Sequence, residues 1–350
     1  MKRLRAAAVG LGWVALHRHL PVMDRSADFN VIGVIDRSPG RAQEVMSRRG
    51  YQHCAETSDL AIVPWLKDVD VITVATAPMS HYSIISQALS LGKHVLTEKP
   101  FTMTVAEGEN LVEMANAKDL RLAIVHNFQF ARSTRLLLSD IARGGLGELH
   151  AINAVQFGNP ERRLPVWYEE LPLGLMYDES PHLLYLIRAV AGDVQLIRSF
   201  THASTNGHKT PARIDAYFTS SEFHGPITLS CNFESPVSEW YLMVFGNKRL
   251  GIVDVFRDIY ISLPNDRSHQ AVNVMRTSLT AIGQHLWQHI VSGIPHLRGH
   301  LFYGNEEVFR RFASAIKGNV EDMKSIGPES ALAVLRLQHA LIDRRERMEC

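Results

Sequence analysis

The sequence predicts an α/β fold in two parts. A doubly wound parallel Rossmann sheet is expected over residues 1–125, and an α+β domain with an open, mostly antiparallel sheet over residues 126–350. Three observations predict this. Short β-rich runs alternate with helical ones through the first third, the pattern of βαβ units. A glycine-rich turn follows the first of those runs. Beyond His150 the runs become strand-rich and follow one another across short turns.

The first part reads in order as follows. Leu4 to Val9 is a strand, with a helical pattern through Leu20. Val31 to Ile35 is a second strand, and Arg41 to Arg49 a helix started by Ser38-Pro39. Val69 to Ala75 is a third strand, and Ser83 to Leu91 a helix closed by Gly92. His94 to Thr97, Val105 to Ala117 and Leu120 to Val125 complete the strand–helix–strand alternation.

In the second part, Leu136 to Arg143 reads as a helix ended by Gly144-Gly145. Strands are expected at Ala151 to Phe157, Leu196 to Ala203, Ile214 to Thr219, Ile227 to Phe233, Trp240 to Gly246, Arg249 to Val255 and Ile259 to Leu263. Asn247-Lys248 makes a turn between two of them, which favours antiparallel pairing. One helix, Pro181 to Val190, interrupts the strands, with Ser180 as its N-cap and Pro181 its first residue. Helices return at Asn305 to Ile316 and Ser330 to Arg344, and residues 264–304 carry no readable pattern.

Composition narrows the function classes. The chain has 350 residues, 46% hydrophobic and 21% charged, enough apolar material for two cores. A formal net charge of +1 gives no general attraction to nucleic acid or anionic membrane. Cys54, Cys231 and Cys350 show neither disulfide nor metal spacing and fit a reducing cytoplasm. Lys2 to Arg5 followed by Ala6 to Leu16 imitates a secretory leader, but Gly10 and Gly12 interrupt it and His17, Arg18 and His19 follow, so it reads as a buried strand. No apolar run reaches the roughly 18 residues needed to span a bilayer.

The turn after the first strand is Gly10-Leu11-Gly12-Trp13-Val14-Ala15, a G-x-G-x-x-A. In a dinucleotide site Gly10 permits the tight turn, Gly12 lets the backbone approach the pyrophosphate, and Ala15 keeps the helix close to the sheet. The helix N-terminus then offers N–H groups and a positive dipole end. Asp36, at the end of the second strand, stands where an acidic residue meets the adenosine ribose, favouring NAD. Arg37 is either an ordinary exposed charge or a partner for the 2′-phosphate of NADP.

Glu98-Lys99-Pro100 follows the fourth expected strand, and Gly174 through His182 reads Gly-Leu-Met-Tyr-Asp-Glu-Ser-Pro-His. With the early glycine motif, these resemble the glucose-fructose oxidoreductase / inositol dehydrogenase (Gfo/Idh/MocA) family. The run Pro78-Met79-Ser80-His81 through Val95 also looks like that family's cofactor loop, helix and strand. The resemblance implies an NAD- or NADP-dependent oxidoreductase acting on a hydroxyl or keto carbon of a sugar, inositol or nucleotide-sugar-like substrate. It implies a cofactor site drawing on Gly10, Gly12, Trp13, Val14, Asp36 and Arg37, with Thr76, Pro78, His81, Glu98, Lys99 and Asn127. It also implies a homodimer or homotetramer formed through the second sheet. The chain departs from the family pattern at Ser180, where glycine is usual, and at Tyr185, where an acid is frequent.

The chemistry of the residues points the same way. Carbinol oxidation needs a proton acceptor and a group that stabilises charge on the oxygen. His182 has a suitable intrinsic pKa. Lys99 follows a strand's C-terminal end, where open α/β sheets place ligands, and can hydrogen-bond the oxygen or act as base. Asp178, four residues before His182, can bind a substrate hydroxyl or orient the imidazole. Trp167, Tyr168 and Trp240 can stack on a sugar ring or serve as core. His126 and Asn127 end the fifth strand, to line the crevice or to pack. His285/His289 and His296/His300 have i, i+4 spacing but no third ligand, so no metal site is predicted. Two alternatives share these features: a non-catalytic dinucleotide-binding sensor, and a reductase of a non-sugar carbonyl or linear tetrapyrrole.

Overall fold

The computed structural model describes residues 3–299 and 303–348, so Lys2, His300 and Cys350 lie outside the described residues. The chain divides into two compact units, residues 1–127 with 305–336, and residues 128–304 with 337–350.

The first unit holds six parallel strands: β1 (Leu4–Val9), β2 (Phe29–Ile35), β3 (His53–Ala55), β4 (Val71–Val74), β5 (His94–Thr97) and β6 (Leu122–Ile124). Their order is β3-β2-β1-β4-β5-β6, the doubly wound arrangement with its topological switch between β1 and β4. Near-continuous burial of Ala6 to Val9, Val71 to Val74 and Val95 to Thr97 follows from a sheet covered on both faces. The helices are α1 (Leu20–Arg25), entered through a π-helical turn over Ala15–His19, then α2 (Arg41–Arg49), α3 (His81–Ser90) and α4 (Val105–Ala117). Thr104 starts α4 with a full capping box, its hydroxyl accepting from Glu107 N–H and the Glu107 carboxylate from Thr104 N–H.

The second unit opens with α5 (Arg132–Ala142), β7 (Leu149–Phe157) and α6 (Leu175–Ala191). Strands β8 (Val194–His202), β9 (Arg213–Ser220), β10 (Ile227–Asn232), β11 (Glu239–Gly246), β12 (Arg249–Asp254) and β13 (Ile259–Pro264) follow. Next come α7 (Ala271–Leu297), α8 (Asn305–Ile316), α9 (Pro328–Asp343) and β14 (Arg345–Met348). The sheet order is β13-β12-β11-β7-β10-β9-β8-β14. Only β7 with β10 and β8 with β14 pair in parallel, so the sheet is mixed and mostly antiparallel, as expected.

Three expectations change. Helix α8 and the first part of α9, expected in the second domain, cluster with the first unit. The cause is aromatic: Phe309 meets Phe29 and His19 edge-on at 5.8 and 5.2 Å, and Lys317 pairs with Asp28 at 2.5 Å. Helix α6 begins at Leu175 and not at Pro181, so Ser180 is no N-cap. Gly174 starts it with φ +53°, where a Cβ would stand 2.1 Å from Thr210 Oγ1, and that hydroxyl accepts from Leu175 N–H. Residues 264–304 contain the 27-residue α7, with Pro295 inside it.

Candidate active site

The C-terminal ends of β1 and β4 form the switch point of the first sheet. Gly10 leaves β1 with φ +83°, and a Cβ there would stand 2.6 Å from Thr76 Cγ2 and 2.8 Å from Thr76 N. The fold itself therefore requires glycine at this turn. Gly12 is different. A Cβ on it would meet nothing closer than the Ala75 carbonyl oxygen at 4.0 Å. The protein does not claim the space over Gly12, which lies at the start of a helix whose first-turn N–H groups have no acceptors within the helix. A pyrophosphate fits that combination, so the residues present suit a dinucleotide.

Asp36 is 6% exposed and its carboxylate oxygens accept from Leu11 N–H at 2.7 Å and Ser38 N–H at 2.8 Å. Each oxygen keeps a further lone pair, so the fixed carboxylate can still take a ribose hydroxyl. Arg37 beside it is exposed. Trp13 is exposed, stacked on His17 at 4.8 Å with the Arg18 guanidinium 4.9 Å from its ring, and Val14 is half-buried.

Behind the turn lies a hydrogen-bonded frame. His81 is completely enclosed, which sets it behind the cofactor loop and not at its surface. Its Nδ1 lies 2.8 Å from Pro100 O and its Nε2 3.1 Å from Thr76 O, so one ring joins the loops after β4 and β5. Burial lowers its pKa. Thr76 Oγ1 is 2.9 Å from Ser80 Oγ, and Pro78 is buried. Glu98 pairs with the buried His19 at 2.8 Å. Burial raises the Glu98 carboxyl, but the hydrogen bond and charge of His19, with Lys99 and His81 beyond, outweigh it and leave the pKa below its ordinary value. Lys99 is half-buried and precedes Pro100 through a cis peptide bond. His126 and Asn127 are buried after β6.

In the second unit α6 carries Asp178 and His182 one turn apart, on one helix face. Asp178 is half-buried and His182 is 8% exposed. His182 Nδ1 lies 2.8 Å from the Tyr185 hydroxyl, which also accepts from Phe128 N–H at 3.0 Å. Phe128 and Trp240 enclose the ring at 4.8 and 5.4 Å. Trp240 is buried, and its indole N–H has no acceptor among the described residues. Trp167 and Tyr168 are half-buried in and beside a short 3₁₀ turn.

Sequence reasoning missed His19, which no local pattern marks. It also missed Glu179, which takes hydrogen bonds from Gln156 and Arg162. That pairing turns Glu179 toward β7, away from its neighbour's role. His285 and His289 meet edge-on at 5.4 Å, and the described residues contain no group of three metal-ligating side chains.

The first unit thus has the features of a dinucleotide-binding oxidoreductase domain, and residues 4–126 match the profile of an oxidoreductase family with an NAD-binding Rossmann fold. These residues are similar to the NAD-binding domain of the Gfo/Idh/MocA oxidoreductases. An uncharacterised oxidoreductase of Schizosaccharomyces pombe is 29% identical over 192 residues, 53% of this chain and 50% of the relative. A dTDP-3,4-didehydro-2,6-dideoxy-alpha-D-glucose 3-reductase of Saccharopolyspora spinosa is 33% identical over 167 residues, 45% of this chain and 47% of the relative. The chain thus spans about half the length of the curated relatives it matches. A 3-ketoreductase from Actinomadura kijaniata, solved in complex with TDP-benzene and NADP, shares the fold at a TM-score of 0.73 with 17% identity, covering 99% of each chain.

Proposed function

We propose that this chain is a nicotinamide-dependent dehydrogenase or ketoreductase acting on a sugar, inositol or nucleotide-sugar-like substrate. The first unit binds the dinucleotide and the second receives the substrate. The observation that carries the reading is the pair of glycines, Gly10 demanded by the turn and Gly12 leaving open space at a helix start. Asp36 favours NAD over NADP, because a fixed carboxylate accepts ribose hydroxyls and repels a 2′-phosphate. The 3-reductase relative acts on a dTDP-sugar by name, which supports a nucleotide sugar among the substrate classes. Free Cys54 and Cys231 fit a cytoplasmic setting, and assembly into a homo-oligomer through the second sheet completes the reading.

Bound in the cradle of Gly10, Gly12 and Asp36, a nicotinamide dinucleotide would accept hydride from a carbinol carbon or supply it to a carbonyl carbon. The chain's own side chains manage the proton and the charge on oxygen. The Lys99 ammonium donates to the reacting oxygen and stabilises negative charge on it. His182 exchanges the hydroxyl proton, its ring held by Tyr185. Asp178, one helical turn away, accepts a hydrogen bond from a substrate hydroxyl.

The test is nicotinamide absorbance against a panel of polyols and nucleotide sugars. Turnover is expected, with Lys99→Ala reducing it on the order of 10²–10⁴-fold while NAD affinity stays within a factor of about two. Full activity in Lys99→Ala would refute that assignment. NAD binding with no turnover on any substrate would favour the sensor instead.

A further inference from the structure

Helix α7 turns the wrong way for an ordinary surface helix. Its polar side chains face its own domain and its large apolar ones face out. Strand β13 is an edge of the second sheet. Along that edge, Gln284 accepts from Ser262 N–H at 2.7 Å and donates to Ser262 O at 3.0 Å. Gln288 does the same for Tyr260, accepting from its N–H at 2.9 Å and donating to its carbonyl oxygen. Ser292 donates to Asp258 O at 2.9 Å. Residues spaced by four on the helix thus serve alternate residues of the strand and replace the missing neighbour strand.

At 3.6 residues per turn, the face opposite this polar row carries Val272, Met275, Leu279, Ile282, Leu286 and Ile290. The first five follow the alternating three- and four-residue spacing of a coiled-coil seam. Leu279, Ile282 and Leu286 are 61%, 62% and 63% exposed, and Trp287 beside them 64%. Only Gln288 and Ser292 of the whole helix are buried. Monomers seldom leave so long an apolar stripe open.

We propose that α7 is a self-association seam, packing against α7 of a second copy of this chain. Three features select that occupant. Arg276 is the single formally charged side chain in α7, so a copy meets almost no like charge. A membrane surface would call for Lys and Arg on the opposite face, and that face is committed to β13. The area suffices: side chains of this kind give up about 60–120 Å² each on burial, so the stripe approaches the ~800 Å² per partner of specific interfaces. Beside the stripe, His285 shares a recess with the half-buried Tyr241, Ile252 and Ile261 and with Asp254 and Arg257.

This deepens the assembly part of the proposed function and is independent of its catalytic part. The experiment is light scattering on the full chain at tens of micromolar, comparing wild type with Leu279→Glu/Leu286→Glu. The wild type should have at least twice the 39.3 kDa chain mass, and the double variant half the wild-type mass. Both positions are exposed, so the variant should keep its far-UV spectrum and NAD affinity, which checks its folding. Trp287 fluorescence should shift to the blue with rising concentration only in the wild type. A wild-type monomer overturns both the seam and the assembly reading. An oligomer whose mass the substitutions leave unchanged overturns the seam alone. Co-sedimentation of a monomeric wild type with anionic phospholipid vesicles would assign the stripe to a membrane and overturn the proposal.

Discussion

Gln338 Nε2 donates to the Tyr177 carbonyl oxygen at 2.7 Å, and Tyr177 lies four residues before Pro181 in the middle of α6. A proline has no N–H for the carbonyl one turn earlier. Gln338, 1% exposed on α9, supplies the donor and also reaches Ser180 Oγ at 3.2 Å. Replacing Gln338 with Leu should cost about 1–3 kcal/mol in urea unfolding, the penalty of an unsatisfied buried acceptor. In a Pro181→Ala background, the backbone N–H restored at that position can serve Tyr177 itself, so the cost should shrink. Additive effects of the two substitutions would refute this account.

The two glycines of the first turn should separate stability from binding. Gly10→Ala places a side chain at φ +83° and 2.6 Å from Thr76 Cγ2, so it should unfold at lower temperature, by more than about 1 kcal/mol. Gly12→Ala meets open space and should melt within a degree or two of the wild type. It should nevertheless bind NADH at least tenfold more weakly by fluorescence titration. Unchanged affinity in Gly12→Ala would place the dinucleotide elsewhere.

Glu98 gives the first unit a pH-dependent increment of stability. A carboxyl lowered in the folded state stabilises the fold above its unfolded pKa, about 4.3. That contribution disappears as the pH falls through the lower folded value. Glu98→Gln should therefore have a lower urea midpoint than the wild type at pH 7, with the gap closing below about pH 4. A gap independent of pH would mean that the carboxylate charge contributes nothing.

Tyr185 holds the imidazole of His182 while touching no substrate in this reading. Tyr185→Phe removes the hydroxyl's hydrogen bonds with His182 Nδ1 and Phe128 N–H, each worth about 0.5–1.5 kcal/mol. The expected result is a several-fold lower kcat, unchanged NADH affinity and a displaced limb in the pH profile of kcat. A fall in activity with an unshifted profile would leave Tyr185 a purely structural part.

How much of this was legible in the sequence depends on how far apart the deciding residues lie. Strands β1 and β5 and helices α2, α4 and α8 read to the residue, because apolar runs and local caps mark them. Strand β3 has three half-exposed residues and no apolar run to reveal it. Ser180-Pro181 imitates a helix start, whereas Thr210 sets the true one from 35 residues away. Helix α7 hides its period because glutamines face the fold and leucines face away. The glycine turn was visible because it is local. The His19–Glu98 pair was not, since 79 residues separate its members.

The return of the chain to its first unit has a consequence for synthesis on the ribosome. A nascent chain that has reached residue 300 already carries all six strands of the parallel sheet but neither Phe309 nor Phe312, both of them fully enclosed in the finished protein. Phe29 and His19 await those aromatic rings until residues 305–316 have been made. The first unit therefore starts to emerge before the second and closes after most of it, and a message truncated near codon 300 should yield a product that proteases clear quickly.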